Sequence, residues 1–255
     1  MCELLGMSAN VPTDICFSFS GLMRRGGHTS HHTDGWGIAF YEGSGCRTFH
    51  DPKPSATSEI AKLISNYSIK SKTVISHIRK ATHGKVNLVN THPFVREMWG
   101  QNWVFAHNGK LPGIKKRKLE FFHPVGNTDS EHAFCWMLDQ IRTRYPKPPR
   151  GRKALSQLLQ HLTDDLAGGG GIFNMLLSDS HNLYAYNTTK LFVLTRRAPF
   201  GEAHLIDDDL AIDFCEETNT TDVVTVIATT PLTNNEAWMA LAHNRLYTFQ
   251  DGVIA

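Results

Sequence analysis

The chain has no Cys-x-x-Cys pair, and its five cysteines (Cys2, Cys16, Cys46, Cys135 and Cys215) are odd in number and widely spread. That excludes a disulfide framework and a zinc ribbon. No apolar run approaches the roughly 18 residues of a membrane-spanning helix. Acidic Glu3 stands where a secretory leader carries basic residues, and no small-residue cleavage site follows. A cytoplasmic protein is therefore expected, with no glycan on the Asn-x-Ser/Thr sites at Asn66, Asn187 and Asn219. An excess of one charge is also lacking. Lys and Arg number 26 against 24 Asp and Glu, a net +2, so no strong field points to nucleic acid or to a membrane surface. The phosphate-cradling patterns Gly-x-Gly-x-x-Gly and Gly-x-x-x-x-Gly-Lys-Ser/Thr are missing, and no repeat of 20–50 residues is found.

What remains is 255 residues with 41% apolar, 20% charged and 10% aromatic content, enough to bury a sizeable core. Short apolar or β-branched runs bounded by Gly or polar residues predict strands at Trp36–Tyr41, Thr73–Ile78, Trp103–Ala106, Phe173–Leu177, Leu183–Tyr186, Leu191–Thr195, Val223–Thr229 and Arg245–Phe249. Helical spacing of Ile60, Ala61, Leu63 and Ile64 predicts a helix over Ser58–Tyr67. A second helix starts at the capping-box pattern Thr128-Asp129-Ser130-Glu131, in which Thr128 and Glu131 satisfy each other's backbone N–H groups. It carries Ala133, Phe134, Met137, Leu138 and Ile141, and Pro146 ends it. A third covers about Lys153–Leu166. The only linker-like stretches are 146–151 and the glycines 168–171, and neither divides segments of different composition. Strands dominate both halves and helices come in blocks, which favours an α+β domain of layered sheets over a doubly wound parallel sheet.

Cys2 is the first candidate for chemistry. Removal of Met1 would put a thiol and a free α-amine on one residue. Their unperturbed pKa values, about 8.5 and about 7.7–8.0, are close enough for the amine to act as base toward the thiol. Three downstream segments bear on it. His77-Ile78-Arg79-Lys80-Ala81-Thr82-His83-Gly84 follows an apolar strand, and an Arg at a strand end can grip a carboxylate or form an ordinary surface ion pair. Ala106-His107-Asn108-Gly109 is either a tight turn or a side-chain amide and a backbone N–H converging on one point, as an oxyanion requires. Asp129 falls in the first turn of its helix, where the dipole favours a carboxylate and where it could also bind an ammonium group.

Together, Cys2, His-x-Arg-x-Ala-Thr-His-Gly, His-Asn-Gly and Thr-Asp-Ser-Glu, in that order, resemble class II glutamine amidotransferase domains of the N-terminal-nucleophile hydrolase superfamily. The opening Met-Cys-Glu-Leu-Leu-Gly and the segment Asp34-Gly35-Trp36-Gly37 resemble its small standalone members. The motifs span residues 2–131, and the similarity continues through Arg196-Arg197-Ala198-Pro199-Phe200-Gly201. The resemblance implies one domain over residues 2–255, a four-layer αββα sandwich of two mainly antiparallel sheets. It implies an enzyme that cleaves the γ-amide of glutamine or of a γ-glutamyl compound through a Cys2 thioester. In that scheme Asn108 and Gly109 hold the oxyanion, Arg79 takes the α-carboxylate and Asp129 the α-ammonium. Thr82 and His83 help to position the glutamyl head. No cofactor is implied. Larger synthases of the family commonly carry Thr and Trp where this chain has Ile78 and Lys80, so the pocket edge should differ. A glutaminase that delivers ammonia to a separate synthase, and a homo-oligomer, stay open as partner arrangements.

Two further features have other readings. His28, His31 and His32 offer donors at i, i+3 and i+4, which would make a metal-binding or non-catalytic module of the chain, but Gly26-Gly27 and Asp34-Gly35 flank them as a loop. The basic run Lys115-Lys116-Arg117-Lys118 reads as a nucleic-acid patch, an exposed loop or a contact for a polar substrate tail, and the balanced net charge favours the loop.

Overall fold

A computed structural model of the chain describes residues 2–81, 85–214 and 219–255. In chain order its elements begin with β1 (Glu3–Thr13), α1 (Cys16–Arg24), β2 (Trp36–Glu42), β3 (Gly45–Asp51), α2 (Glu59–Asn66) and β4 (Ser71–Ile78). Then come β5 (Phe94–Met98), β6 (Gln101–Lys110), α3 (Asp129–Arg144), α4 (Arg152–Gly168), β7 (Ile172–Ser178), β8 (Leu183–Tyr186) and β9 (Phe192–Arg197). A small hairpin of β10 (Glu202–His204) and β11 (Ala211–Asp213) precedes β12 (Val223–Ala228), β13 (Met239–Ala240), β14 (Tyr247–Gln250) and β15 (Val253–Ile254).

The strands form two antiparallel sheets, ordered β13-β9-β12-β1-β4-β2-β3 and β15-β14-β8-β7-β6-β5. Side chains alternate between the faces of a strand, and here both faces are apolar. From β1, β2 and β4, the residues Leu5, Met7, Ile38, Phe40 and Val74 pack with Phe19 and Leu22 of α1 and Ala61 and Ile64 of α2. The alternate residues Leu4, Ala39 and Ile75 meet Val104, Ala106 and Leu176 of the second sheet. On that sheet's far side Phe105, Phe173 and Met175 pack against Phe134, Leu138 and Leu159 of α3 and α4. Three apolar layers between four structural layers make an α+β αββα sandwich, as the resemblance implied. Two buried faces per strand also explain why the strands read as continuous apolar runs rather than alternating ones.

The expected strands all form, with ends differing by a few residues. The sequence reading missed β1 and α1, and also β3, β5 and the short strands β10, β11, β13 and β15. Leu4-Leu5-Gly6-Met7-Ser8-Ala9-Asn10 mixes poor strand formers, and β1 exists because β4 and β12 pair with it on both sides. The expected capping box is half made. Glu131 N–H donates to Thr128 Oγ1 at 3.1 Å, but the Glu131 carboxylate accepts from Val125 N (2.9 Å), Gly126 N (2.8 Å) and Arg96 Nη2 (2.5 Å) instead of from Thr128.

Candidate functional site

Alternation places the site. Leu4 and Ile75 face the layer between the sheets, and so do Val104 and Ala106. Continuing each strand by steps of two brings Cys2, His77 and Arg79, and Asn108 to the end of that same layer. The Cys2 backbone N–H donates to Asn108 Oδ1 at 2.9 Å, and Asn108 Nδ2 donates to the Cys2 carbonyl at 2.6 Å. Only a carboxamide offers donor and acceptor in this spacing. Lys80 N–H donates to Cys2 Sγ at 3.3 Å, and the thiol lies 3.4 Å from the Lys80 carbonyl. Burial pushes the Cys2 thiol above its ordinary pKa, against the opposing pull of the Lys80 N–H and the Arg79 charge.

The strip that carries Arg79 is held from outside. Asp34 N–H donates to Arg79 O at 3.1 Å, Arg79 N–H to Gly35 O at 2.8 Å, and Ala81 N–H to the Asp34 carboxylate at 2.7 Å. These bonds fix the Lys80 amide against the sulfur. The Arg79 guanidinium is buried and donates to Lys85 O at 3.2 Å. Thr82 and His83 lie outside the described residues.

Asn108 and Gly109 close β6. Asn174, opposite Asn108 on β7, donates to the Asn108 carbonyl at 3.0 Å, while its own oxygen accepts from Thr188 N and Thr189 N. A Cβ at Gly109 would lie 1.8 Å from the Ile172 carbonyl oxygen, so no side chain fits there. His107 Nε2 lies 3.2 Å from the Ile172 carbonyl and must donate to it, which leaves Nδ1 to accept from Ser130 Oγ at 2.8 Å. That bond ties β6 to the first turn of α3. There Asp129, half-buried, accepts from Leu111 N at 2.8 Å and Ser130 N at 2.9 Å. Cys2, Asn108 and the Arg79 strip are therefore assembled directly, and Asp129 is pinned to the end of the same strand.

Several supports were not anticipated. Glu3 is buried and pairs with Arg25 at 3.0 Å, and Arg25 also binds Asp207 at 2.7 Å. Leu4 N–H donates to Thr229 Oγ1 at 2.9 Å. Asn174 left a legible signal, a lone polar residue inside the apolar run Phe173–Leu177. The Arg25–Asp207 pairing left none. Behind the site three histidines are buried. The His77 and His92 rings lie 4.2 Å apart, and their nitrogens make no ordinary hydrogen bond among the described residues. Burial holds the His77 imidazole down at about 3 and lowers His92 and His107 as well.

Of the loop histidines, His28 and His31 are exposed, while His32 is buried with Nδ1 3.3 Å from Arg25 O. Among the described residues no group of three His, Cys, Asp or Glu side chains is placed to hold a metal ion, and no helix is long and apolar enough to cross a membrane. The run Lys115–Lys118 forms a turn past the end of β6.

A family model described as "Glutamine amidotransferases class-II" matches residues 1–255. The chain is 58% identical over 241 residues, 94% of each chain, to "Putative glutamine amidotransferase YafJ" of Escherichia coli (strain K12). It is similar to the crystal structure titled "predicted glutamine amidotransferase from Pseudomonas aeruginosa PA01", with a TM-score of 0.79, 48% identity and 99% of each chain covered. The glutamine phosphoribosylpyrophosphate amidotransferase of B. subtilis shares the fold at a TM-score of 0.58 and 13% identity, with 98% of this chain covering 49% of that one.

Proposed function

The chain belongs to the class II glutamine amidotransferases, and from that premise we propose that it is an amidohydrolase acting through Cys2, with residues 2–255 working as one domain. Its substrate is glutamine or a γ-glutamyl compound. The observation that carries this reading is the reciprocal pair of hydrogen bonds between Cys2 and Asn108, with the sulfur held at the Lys80 amide.

Removal of Met1 turns the Cys2 nitrogen into a primary amine beside the Asn108 oxygen. Because burial keeps the thiol protonated near neutral pH, the sulfur needs a base, and the amine on the same residue is one. The amine takes the thiol proton and the sulfur attacks the γ-carbonyl. Asn108 Nδ2 has a second hydrogen, free to meet the oxyanion while the first holds the Cys2 carbonyl, and the Gly109 N–H supplies the other donor. The protonated amine gives its proton to the departing nitrogen, leaving a γ-glutamyl thioester. Water then attacks the thioester, and glutamate and the free thiol result. Arg79 takes the α-carboxylate of the glutamyl head. Asp129 accepts two backbone N–H groups and keeps lone pairs for the α-ammonium. Thr82 and His83 help to orient the head.

The test is glutamate release from glutamine, glutathione and simple γ-glutamyl amides by protein whose mass shows Met1 removed, run beside Cys2→Ala. Release by the wild type alone is expected. Hydrolysis of none of the substrates overturns the hydrolase reading, and equal rates for the variant overturn the nucleophile.

A further inference from the structure

A cavity of about 280 Å³ lies on the helix side of the first sheet, away from Cys2. Met7, Val224 and Val226, which pack in the layer between that sheet and α1, form its floor. Met7 is five residues along β1 from Cys2, roughly 17 Å, and on the opposite face. Phe17, Phe200 and Phe214 wall the cavity, and Phe214 meets the other two rings edge to face at 5.6 and 6.3 Å. An apolar void of about 150 Å³ admits benzene, so this one has room for a single ring or a branched aliphatic group with a short polar head.

Four charged side chains also line it: Asp14, Lys70, Arg196 and Asp222. Arg196 is neutralised by Glu236 at 2.6 Å. The other three form no ion pair among the described residues. The Asp14 carboxylate accepts the Cys16 N–H at 2.6 Å, and Asp222 Oδ2 accepts the Asn219 N–H at 3.0 Å. Asp222 is buried, and its Oδ1 has no hydrogen-bond partner among the described residues. A buried carboxylate oxygen without a donor is costly, and a donor brought in through the cavity would satisfy it. Lys70 is exposed and adds a single cation. Two carboxylates and one ammonium around an apolar chamber are the complement of a zwitterion with an apolar body.

We propose that this cavity binds a free α-amino acid with an aromatic or branched apolar side chain. The ligand's ammonium donates to Asp222 Oδ1 and faces Asp14, its carboxylate meets Lys70, and its side chain packs among the three phenylalanines. An anion alone would leave Asp222 without a donor, and a plain amine would leave Lys70 without a counter-charge. Binding makes and breaks no covalent bond and is independent of the hydrolysis at Cys2.

The test is calorimetric titration of the full chain with phenylalanine, phenethylamine and 3-phenylpropionate. Phenylalanine should bind tightest. Phenethylamine should be weaker by up to about five-fold, the upper range for an exposed charge pair. Phenylpropionate should be weaker by about ten-fold or more, because it lacks the charged donor for Asp222. Asp222→Asn can still accept the Asn219 N–H but turns an amide nitrogen toward the ligand, and should weaken phenylalanine by about ten-fold or more. Lys70→Ala should bring phenylalanine to the level of phenethylamine. Asp129→Asn, at the proposed site for the glutamyl ammonium, should leave phenylalanine binding as it is. No binding of phenylalanine at millimolar concentration, equal affinity for phenylalanine and phenylpropionate, or an affinity unmoved in Asp222→Asn overturns the proposal. Binding lost in Asp129→Asn and kept in Asp222→Asn assigns the amino acid to the Cys2 site and overturns it too. The three ligands on the wild type read the selectivity without any substitution, so a variant that fails to fold does not remove the test.

Discussion

The buried histidines make a sharp prediction about acid stability. His77, His92 and His107 are at most 4% exposed, and burial disfavours the imidazolium of each. Burial favours the neutral form of all three in the folded chain, whereas the unfolded chain protonates them near the ordinary 6.5. Below that value the unfolded state binds more protons, so their contribution is complete at pH 7 and is lost as the pH falls toward the folded values. Held down at about 3, His77 costs about 2 kcal/mol between pH 7 and pH 5, and His92 and His107 shift stability in the same direction. Even the His77 contribution is an appreciable share of the roughly 5–15 kcal/mol by which domains are stable. Carboxylates titrate mostly below this window, so the histidines dominate it. Urea unfolding followed by tryptophan fluorescence at pH 7, 6 and 5 should show the loss. His77→Phe, which keeps a ring against His92, should remove about 2 kcal/mol of the pH dependence. A stability that changes by less than about 1 kcal/mol over this range, or a variant as pH-sensitive as the wild type, would refute the reasoning.

Other substitutions probe the supports of the site. Asn108→Ala removes both anchors of Cys2 and one oxyanion donor, and turnover on glutamine should fall on the order of 10²–10³-fold in steady-state assays. Asp34→Ala frees the Ala81 N–H and loosens the strip that presents the Lys80 amide. A drop in kcat of about ten-fold or more is expected, with the melting temperature changed little by comparison. Glu131→Ala strips the partner from Arg96 and from the Val125 and Gly126 amides. It should destabilise the chain by about 3–5 kcal/mol in denaturant titrations, because a buried charge pair is broken from one side.

Much of the architecture was legible because each sheet lies between two apolar layers. Runs such as Val74-Ile75 and Val104-Phe105-Ala106 announce strands whichever face they bury. Strand β1 was not legible, since its Gly, Ser and Asn residues are tolerated only where neighbouring strands dictate the conformation. At the site, the order of Cys2, Arg79, Asn108 and Asp129 marked the residues worth watching. The structure joins Cys2 to Asn108 and to the Arg79 strip by hydrogen bonds. Their supports were hidden because they are long-range pairs. Nothing in sequence links Arg25 to Asp207, or Asp34 to Ala81, before the chain folds. Glu131 shows the converse failure. Its local pattern fitted a capping box, but a tertiary partner, Arg96, and the preceding loop claimed its carboxylate.

The most direct measurement is mass spectrometry of the N-terminal peptide after acid quenching during turnover of a γ-glutamyl substrate. A peptide that begins at Cys2 and carries a γ-glutamyl group on its sulfur, lost on mild base treatment, is the predicted result. A turning-over protein whose N-terminal peptide retains Met1, or whose Cys2 is never acylated, would contradict it.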